Sequence, residues 1–360
     1  MLYHLLFPLS DEIAAFNVFR YITFRAAGSV LTAVLLSVAL GPWTVARLRR
    51  LSIGQAIREE GPERHHAKAG TPTMGGLLIL FCVVVPTLLW AQLSNVYVWL
   101  ALAVFVGFGA VGFADDLLKV RRRHNRGLSA RLKLLLQCAV AVAATGALLT
   151  WPGTSFEPTV ALPFFKHAVF DVGPFYLLFA LLVLVGSSNA VNLTDGLDGL
   201  AIGATLIAAA TYAIFTYVAG NSVVARYLQV PYIPGTGEVA VFCAALVGAS
   251  LGFLWFNAHP AEVFMGDVGS LALGGAIGMV AILSKQEIVL LLVGGLFVLE
   301  ALSVILQVAS FKLTGRRILK MAPIHHHFEL SGWEESKIIV RFWILAVLFA
   351  LASLSTLKLR

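Results

Sequence analysis

The chain has 360 residues, 59% of them hydrophobic and only 12% charged, with a mean hydropathy of +0.87. That charged share is about half of what a soluble domain carries, and no polar stretch exceeds about 30 residues, well short of a domain. A large soluble catalytic domain is excluded, and the net charge of +7 points to loops at a membrane surface with no nucleic acid as partner.

The first 20 residues do not form a cleavable leader, because Asp11 and Glu12 interrupt them and no cleavage site follows an apolar run. Beyond them the apolar residues fall in blocks of roughly 17 to 24, long enough to cross a hydrocarbon core as helices. They predict spans near 22–45, 73–91, 96–114, 132–150, 175–189, 200–218, 239–256, 269–283, 288–311 and 338–357. The expected fold is an all-α integral membrane protein of about ten transmembrane helices, one domain over residues 1–360. Pro42 and Pro86 lie in or near spans as candidate kinks. Cys82, Cys138 and Cys243 lie inside apolar runs and read as packing residues, with no disulfide or zinc framework.

Lys and Arg alternate from loop to loop. The 46–72, 115–133 and 312–337 loops hold 18 of them, whereas the four opposite loops hold only Lys166, Arg226 and Lys285. This bias assigns the basic loops to the cytoplasm, which puts both termini in the periplasm and gives five cytoplasmic loops. Of the outward loops, 151–174 and 219–238 are rich in Pro and Gly, and WPGTSFEPTVALPFF and VPYIPGTGE predict turns and short strands or hairpins.

Five of the seven aspartates fall between spans on that cytoplasmic side: Asp115 and Asp116 in GFADDLLKV, Asp195 and Asp198 in NAVNLTDGLDGLA, and Asp267 in FMGDVGS. Carboxylates at a membrane edge are costly to keep ionised unless something uses them, so the cluster predicts a divalent cation and an interfacial reaction. Adjacent helical residues point about 100° apart, so Asp115 and Asp116 are not expected to face one ligand as a simple pair. One would meet a metal or nucleophile and the other Lys119, one turn on; a balancing acidic cap is the alternative. Asn192, Asp195 and Asp198 recur at spacing three, which one helical turn would bring to a common face, unless they serve as Asx turns or helix caps. WFNAHPAEVFMGDVGS supplies Asn257, His259, Phe264 and Asp267, and hard oxygen ligands without cysteine favour magnesium. Asp267 could equally cap a span, and Phe264 could anchor at the membrane interface instead of stacking on a base.

In MAPIHHHFEL, His325, His326 and His327 suit phosphate contact better than one shared metal, since consecutive residues converge poorly; a solvated loop is the alternative. RHHAKAGTPTMGG brings Lys68, Thr71 and Thr73 to the mouth of span 2 as phosphate contacts. Glu300 lies mid-span with Gln307 two turns on, and an intramembrane carboxylate is either functional or a hydrogen-bonded packing residue.

GPERHHAKAGTPTMGG, GFADDLLKV, NAVNLTDGLDGLA, FLWFNAHPAEVFMGDVGSLALGG and MAPIHHHFEL, in this order and spacing, closely resemble the bacterial phospho-N-acetylmuramoyl-pentapeptide transferases. The resemblance runs from Phe16 to the C-terminus. The aspartate motifs are shared by the superfamily that moves a sugar-1-phosphate from a UDP-sugar to a polyprenyl phosphate, and MAPIHHHFEL marks the muramoyl-pentapeptide branch. It implies ten helices in the bacterial inner membrane, a cytoplasmic site, Mg²⁺ as cofactor and a homodimer. It implies the substrates UDP-N-acetylmuramoyl-pentapeptide and undecaprenyl phosphate, and the products lipid I and UMP, in the first membrane step of peptidoglycan synthesis.

By the same resemblance Asp115, Asp116, Asp267 and His326 are expected to be catalytic, with Asp267 holding the metal and Asp115 accepting the lipid phosphate's proton. Lys68, Lys119, His325 and His327 are expected to neutralise phosphate charge. Asn192, Asp195, Asp198, Asn257, Phe264 and Gln307 are expected to form the nucleoside and sugar pocket, with Phe264 on uracil. Direct attack by the lipid phosphate is favoured over a covalent aspartyl intermediate. Another UDP-sugar, a secondary transporter and a non-catalytic cell-wall scaffold are the competing readings.

Overall fold

The computed structural model describes residues 1–51, 70–122, 127–152, 154, 156–165 and 169–358. Lys68 and most of the basic 46–72 loop lie outside the described residues. Within them, nine helices are long and apolar enough to cross a membrane. In chain order the long helices are α1 (Ile22–Arg50), α2 (Gly76–Trp90), α3 (Val96–Arg122), α4 (Ala130–Thr150), α5 (Tyr176–Thr194), α6 (Leu200–Ala219), α7 (Val239–Asn257), α8 (Gly266–Leu283), α9 (Gly295–Thr314) and α10 (Glu335–Ser355). The shorter one is α2, at 15 residues; about 1.5 Å per residue makes it roughly 22 Å long. Its expected first residues, 73–75, instead form a turn ahead of the helix, with Met74 at φ +69°, Phe264 N donating to Pro72 O at 2.8 Å and Gly75 N to Phe264 O at 2.9 Å. Pro42 and Pro86 both lie inside helices, and the three cysteines are unpaired thiols.

α8 is the centre of the bundle, with every residue from Val268 to Leu283 buried. It packs on α3 and α5, and also touches α2 and α6. Small residues allow this close approach: a Cβ on Gly112 of α3 would lie 2.1 Å from Asp267 O. α1 packs on α7 through a stripe recurring every four residues, Arg25, Ser29, Ala33, Ser37, Gly41 and Val45, all buried. At its N-terminal end Arg25 forms a buried two-pronged pair with Glu238, Nη1 to Oε2 at 2.6 Å and Nη2 to Oε1 at 2.5 Å.

Both Pro- and Gly-rich loops form turns as expected, and one of them adds strands. Residues 222–238 form a helix, Ser222–Leu228, and a 3₁₀ turn, Thr236–Glu238, with no strand. The Asn221 side chain accepts from Val223 N and Val224 N and so favours the helix. The other loop does form a hairpin, in which β1 (Thr159–Ala161) runs antiparallel to β2 (Val169–Asp171), Thr159 opposite Asp171. Lys285 fastens it, its ammonium donating to Glu157 O and Thr159 O and lying 3.6 Å from the Phe156 ring centroid.

Candidate active site

Asp115 and Asp116 do not lie in a gap between helices. α3 continues past them to Arg122, because the helical hydrogen-bond ladder needs no apolar side chains and its unpaired end groups are better placed in water than in lipid. Asp267 likewise sits in the first turn of α8, where the helix dipole favours a carboxylate. Gly266 opens that turn at φ +71°, and a Cβ there would lie 2.5 Å from Asp116 Oδ2. Glycine is needed on both counts.

The three carboxylates converge, with one oxygen from each lying within 4.8 Å of the others. The expectation that Asp115 and Asp116 could not share a ligand is therefore corrected. Lys119 is i+4 from one and i+3 from the other, both neighbours on a helix surface, so it sits between them. Its Nζ is 2.6 Å from Asp115 Oδ2, 3.3 Å from Asp116 Oδ1 and 2.9 Å from Asp267 Oδ2. Asp115 Oδ1 also accepts from Leu128 N at 2.7 Å, and Asp116 Oδ2 from Val268 N at 3.2 Å. A second ammonium, Lys133, sits 2.6 Å from Asp267 Oδ2. Asn192 bridges Asp267 Oδ1 and Ser270 Oγ at 2.9 and 2.8 Å. An all-oxygen set of this size, two of its members buried, fits a hard divalent cation, with the lysines as counter-charges.

Asn192, Asp195 and Asp198 do not share a helical face. α5 ends at Thr194 and α6 begins at Leu200, so Asp195 and Asp198 lie in the turn between them. Asp195 faces the aspartate centre: burial, then the negative charges of Asp267, Asp116 and Asp198, push its carboxyl up to about 8. Its carboxyl is thus held toward the protonated form. Asp198 belongs to a second group, accepting from Ala261 N at 3.1 Å and lying 3.1 Å from His259 Nδ1. Glu335 is 3.6 Å from that nitrogen and accepts from Asp198 N.

Asn257 is buried, taking Gly199 N on Oδ1 at 3.1 Å and giving Nδ2 to Val263 O at 2.8 Å. Both ends of its amide hold backbone, so it ties the start of α6 at Gly199 to the segment before α8 at Val263. Gln307 does the same for the loop after α9, accepting from Ile318 N and Leu319 N and donating to Leu319 O. Phe264 is half-buried beside Asp267. The three histidines diverge on a short helix, Ile324–Glu329, rather than sharing a solvated loop. His325 is buried 3.1 Å from Glu300, His326 pairs with Glu329 at 2.6 Å, and His327 Nδ1 accepts from Lys320 N at 3.1 Å.

Lys133, Ser270 and Glu335 were missed as site residues by sequence reasoning. Lys133 was counted only among topology charges. Ser270 is one turn from Asp267 on the same face, which the spacing could have shown. Glu335 comes from α10 and left no local signal.

The chain matches the family model described as glycosyl transferase family 4 over residues 98–285, and a signature of phospho-N-acetylmuramoyl-pentapeptide-transferase over residues 68–80. It is similar over 100% of both chains to proteins named phospho-N-acetylmuramoyl-pentapeptide-transferase. Identity is 61% for that of Nitratidesulfovibrio vulgaris strain Hildenborough, 60% for Desulfatibacillum aliphaticivorans and 58% for Citrifermentans bemidjiense. A multi-pass membrane bundle with converging acidic groups at the helix ends agrees with that likeness, and the chain belongs to the phospho-N-acetylmuramoyl-pentapeptide-transferase family of membrane transferase enzymes.

Proposed function

We propose that the protein transfers phospho-N-acetylmuramoyl-pentapeptide from its UDP carrier to undecaprenyl phosphate, releasing UMP, at the cytoplasmic face of the inner membrane. The observation that carries this reading is the convergence of Asp115, Asp116 and Asp267 around Lys119 and Lys133, together with full-length likeness to relatives of that name. The alternation of basic loops supports ten spans with both termini periplasmic, α2 being the short one.

Both substrates carry phosphates, so charge repulsion is the first obstacle. Asp267, with Asp115 and Asp116 beside it, would hold Mg²⁺, which when bound neutralises diphosphate charge and stabilises the departing UMP. Lys119 and Lys133 supply positive charge at the same place, and His326 and His327 offer ring nitrogens to phosphate oxygens. Asp195, in the α5–α6 turn, would face the sugar and diphosphate oxygens. An oxygen of the lipid phosphate attacks the sugar-linked phosphorus, one P–O bond forms, and the P–O bond to UMP breaks.

The lipid phosphate must lose its last proton to be a good nucleophile. Both Asp115 oxygens are engaged at 2.6 and 2.7 Å. Among the described residues Asp116 Oδ1 has a single contact, at 3.3 Å to Lys119, so Asp116 fits the proton-acceptor role better than Asp115, which instead orients Lys119. Asp267 accepts from Lys119, Lys133 and Asn192. A carboxylate so engaged is a poor nucleophile, which supports direct attack over a covalent aspartyl intermediate.

The test is UMP release by purified protein in detergent with UDP-N-acetylmuramoyl-pentapeptide, undecaprenyl phosphate and Mg²⁺, against UDP-N-acetylglucosamine as donor and against EDTA. Release with the pentapeptide donor alone, lost in EDTA, is expected. Equal release from the other donor would overturn the substrate, and release that survives EDTA would overturn the metal.

A further inference from the structure

His325 and Glu300 are both fully buried, on different elements 25 positions apart in the chain. Glu300 is in α9 and His325 is in the short Ile324–Glu329 helix. His325 Nδ1 lies 3.1 Å from Glu300 Oε2. This is ion-pair distance without hydrogen-bond alignment, and neither side chain has a hydrogen-bond partner among the described residues. A buried carboxylate and a buried imidazole that lack other partners are costly apart, so each is the other's means of satisfaction. The opposite ring nitrogen faces the α5–α6 turn, where a Cβ on Gly196 would lie 2.3 Å from His325 Nε2. Gly196 is the neighbour of Asp195, and its missing side chain leaves the space the imidazole occupies.

We propose that Glu300 is a positioning residue for the transfer reaction. Its carboxylate, 3.1 Å from Nδ1, would hold the His325 ring in place and favour the tautomer with the hydrogen on Nδ1, leaving Nε2 against the Gly196 turn next to Asp195. A ring nitrogen's role is set by the bond the other nitrogen makes, and a carboxylate behind a histidine is a known way to hold it. Glu300 touches no substrate in this arrangement and acts only through His325. The intramembrane carboxylate thereby acquires a use other than packing or transport. The inference rests on the transferase reading above, in which the histidine segment faces substrate phosphates.

The experiment is a double-variant cycle on UMP release, with Glu300→Gln, His325→Gln and both together, in detergent-purified full-length protein. Glu300→Gln keeps size and shape. It is expected to lower kcat roughly 10- to 100-fold, the range seen when the group behind a functional histidine is lost, with KM for the UDP substrate changed less than about threefold. In the His325→Gln background it is expected to cost nothing further, because the pathway is already cut. A wild-type kcat for Glu300→Gln overturns the proposal, and so does an equal loss in both backgrounds, which marks a merely structural role. If thermal unfolding shows Glu300→Gln misfolded, Glu300→Asp takes its place in the same cycle with the same readings. Histidine-selective ¹⁵N spectra of wild type and Glu300→Gln separate this proposal from the transferase reading. If the wild type releases no UMP, that reading fails. A His325 ring resonance moved by Glu300→Gln then still supports the pairing, and an unmoved one overturns it.

Discussion

Gly112→Ala should cripple the enzyme without removing any charged group. The added methyl would lie 2.1 Å from Asp267 O, 2.4 Å from Asp267 C and 2.7 Å from Val268 N, where ordinary contact begins at 3.4 Å. All three neighbours are backbone at the start of α8, so no side chain can rotate away, and α3 and α8 must part by about 1.3 Å at this level. That separation moves Asp267 away from Asp115, Asp116 and Lys119, which α3 carries. A misplacement of about 1 Å at a reacting centre costs on the order of 100-fold in rate, and overpacking costs about 1–3 kcal/mol of stability. The assay is UMP release per folded protein, with folding followed by thermal unfolding in the same detergent. Gly146→Ala is the control, since nothing lies within 4 Å of a Cβ there. A Gly112→Ala enzyme that turns over at the wild-type rate would refute the close α3–α8 contact as what assembles the site.

Lys133→Met should lower kcat by roughly 10- to 100-fold, because Asp267 loses its 2.6 Å ammonium partner and the centre one of its two cations; steady-state kinetics that match wild type would make Lys133 a topology charge only. Glu238→Ala should lower stability by about 3–5 kcal/mol, since it leaves Arg25 buried and unpaired at the N-terminal end of α1, while UMP release per folded molecule stays unchanged; an unshifted unfolding curve would contradict this. The Asp195 carboxyl, raised from 3.8 to about 8 by burial and its acidic neighbours, keeps in the folded state a proton that the unfolded chain has lost. Its contribution to stability is therefore full below pH 4 and is lost as pH rises through 8. Asp195→Asn should flatten that slope in unfolding measurements from pH 5 to 9 in EDTA, and a slope the same as wild type would count against the raised value.

The membrane bundle was legible because its signal is long and redundant: each span repeats the same apolar character over many residues, and the basic loops alternate. Where helices end was less legible. Apolar runs stop at the membrane edge, whereas α3 runs on through Asp115, Asp116 and Lys119 to Arg122. Placing the aspartates in gaps followed from equating the end of a hydrophobic run with the end of a helix. The site's acidic members and Lys119 could be named from sequence because carboxylates are costly at that depth and so stand out. Their geometry could not, because Asp267 reaches the α3 pair only through the Gly112–α8 contact, a matter of tertiary packing. Lys133 and Glu335 were hidden for a related reason, one among many basic residues of its loop and the other alone at the start of a distant helix. The VPYIPGTGE segment carries turn residues and does turn, at Thr236–Glu238, but turn residues alone do not say whether strands will flank the turn.

The central claim is that Asp115, Asp116 and Asp267 form one centre, and it is tested most directly by UMP release from Asp115→Asn, Asp116→Asn and Asp267→Asn beside wild type. These four proteins and the three double variants are to be purified in the same detergent, shown to be folded and supplied with the pentapeptide donor, undecaprenyl phosphate and Mg²⁺. The account predicts that each variant alone loses at least about 100-fold in kcat and that combining any two loses little more, as for groups that act as a unit. Any one variant with wild-type turnover, or losses that multiply across the pairs, would contradict it.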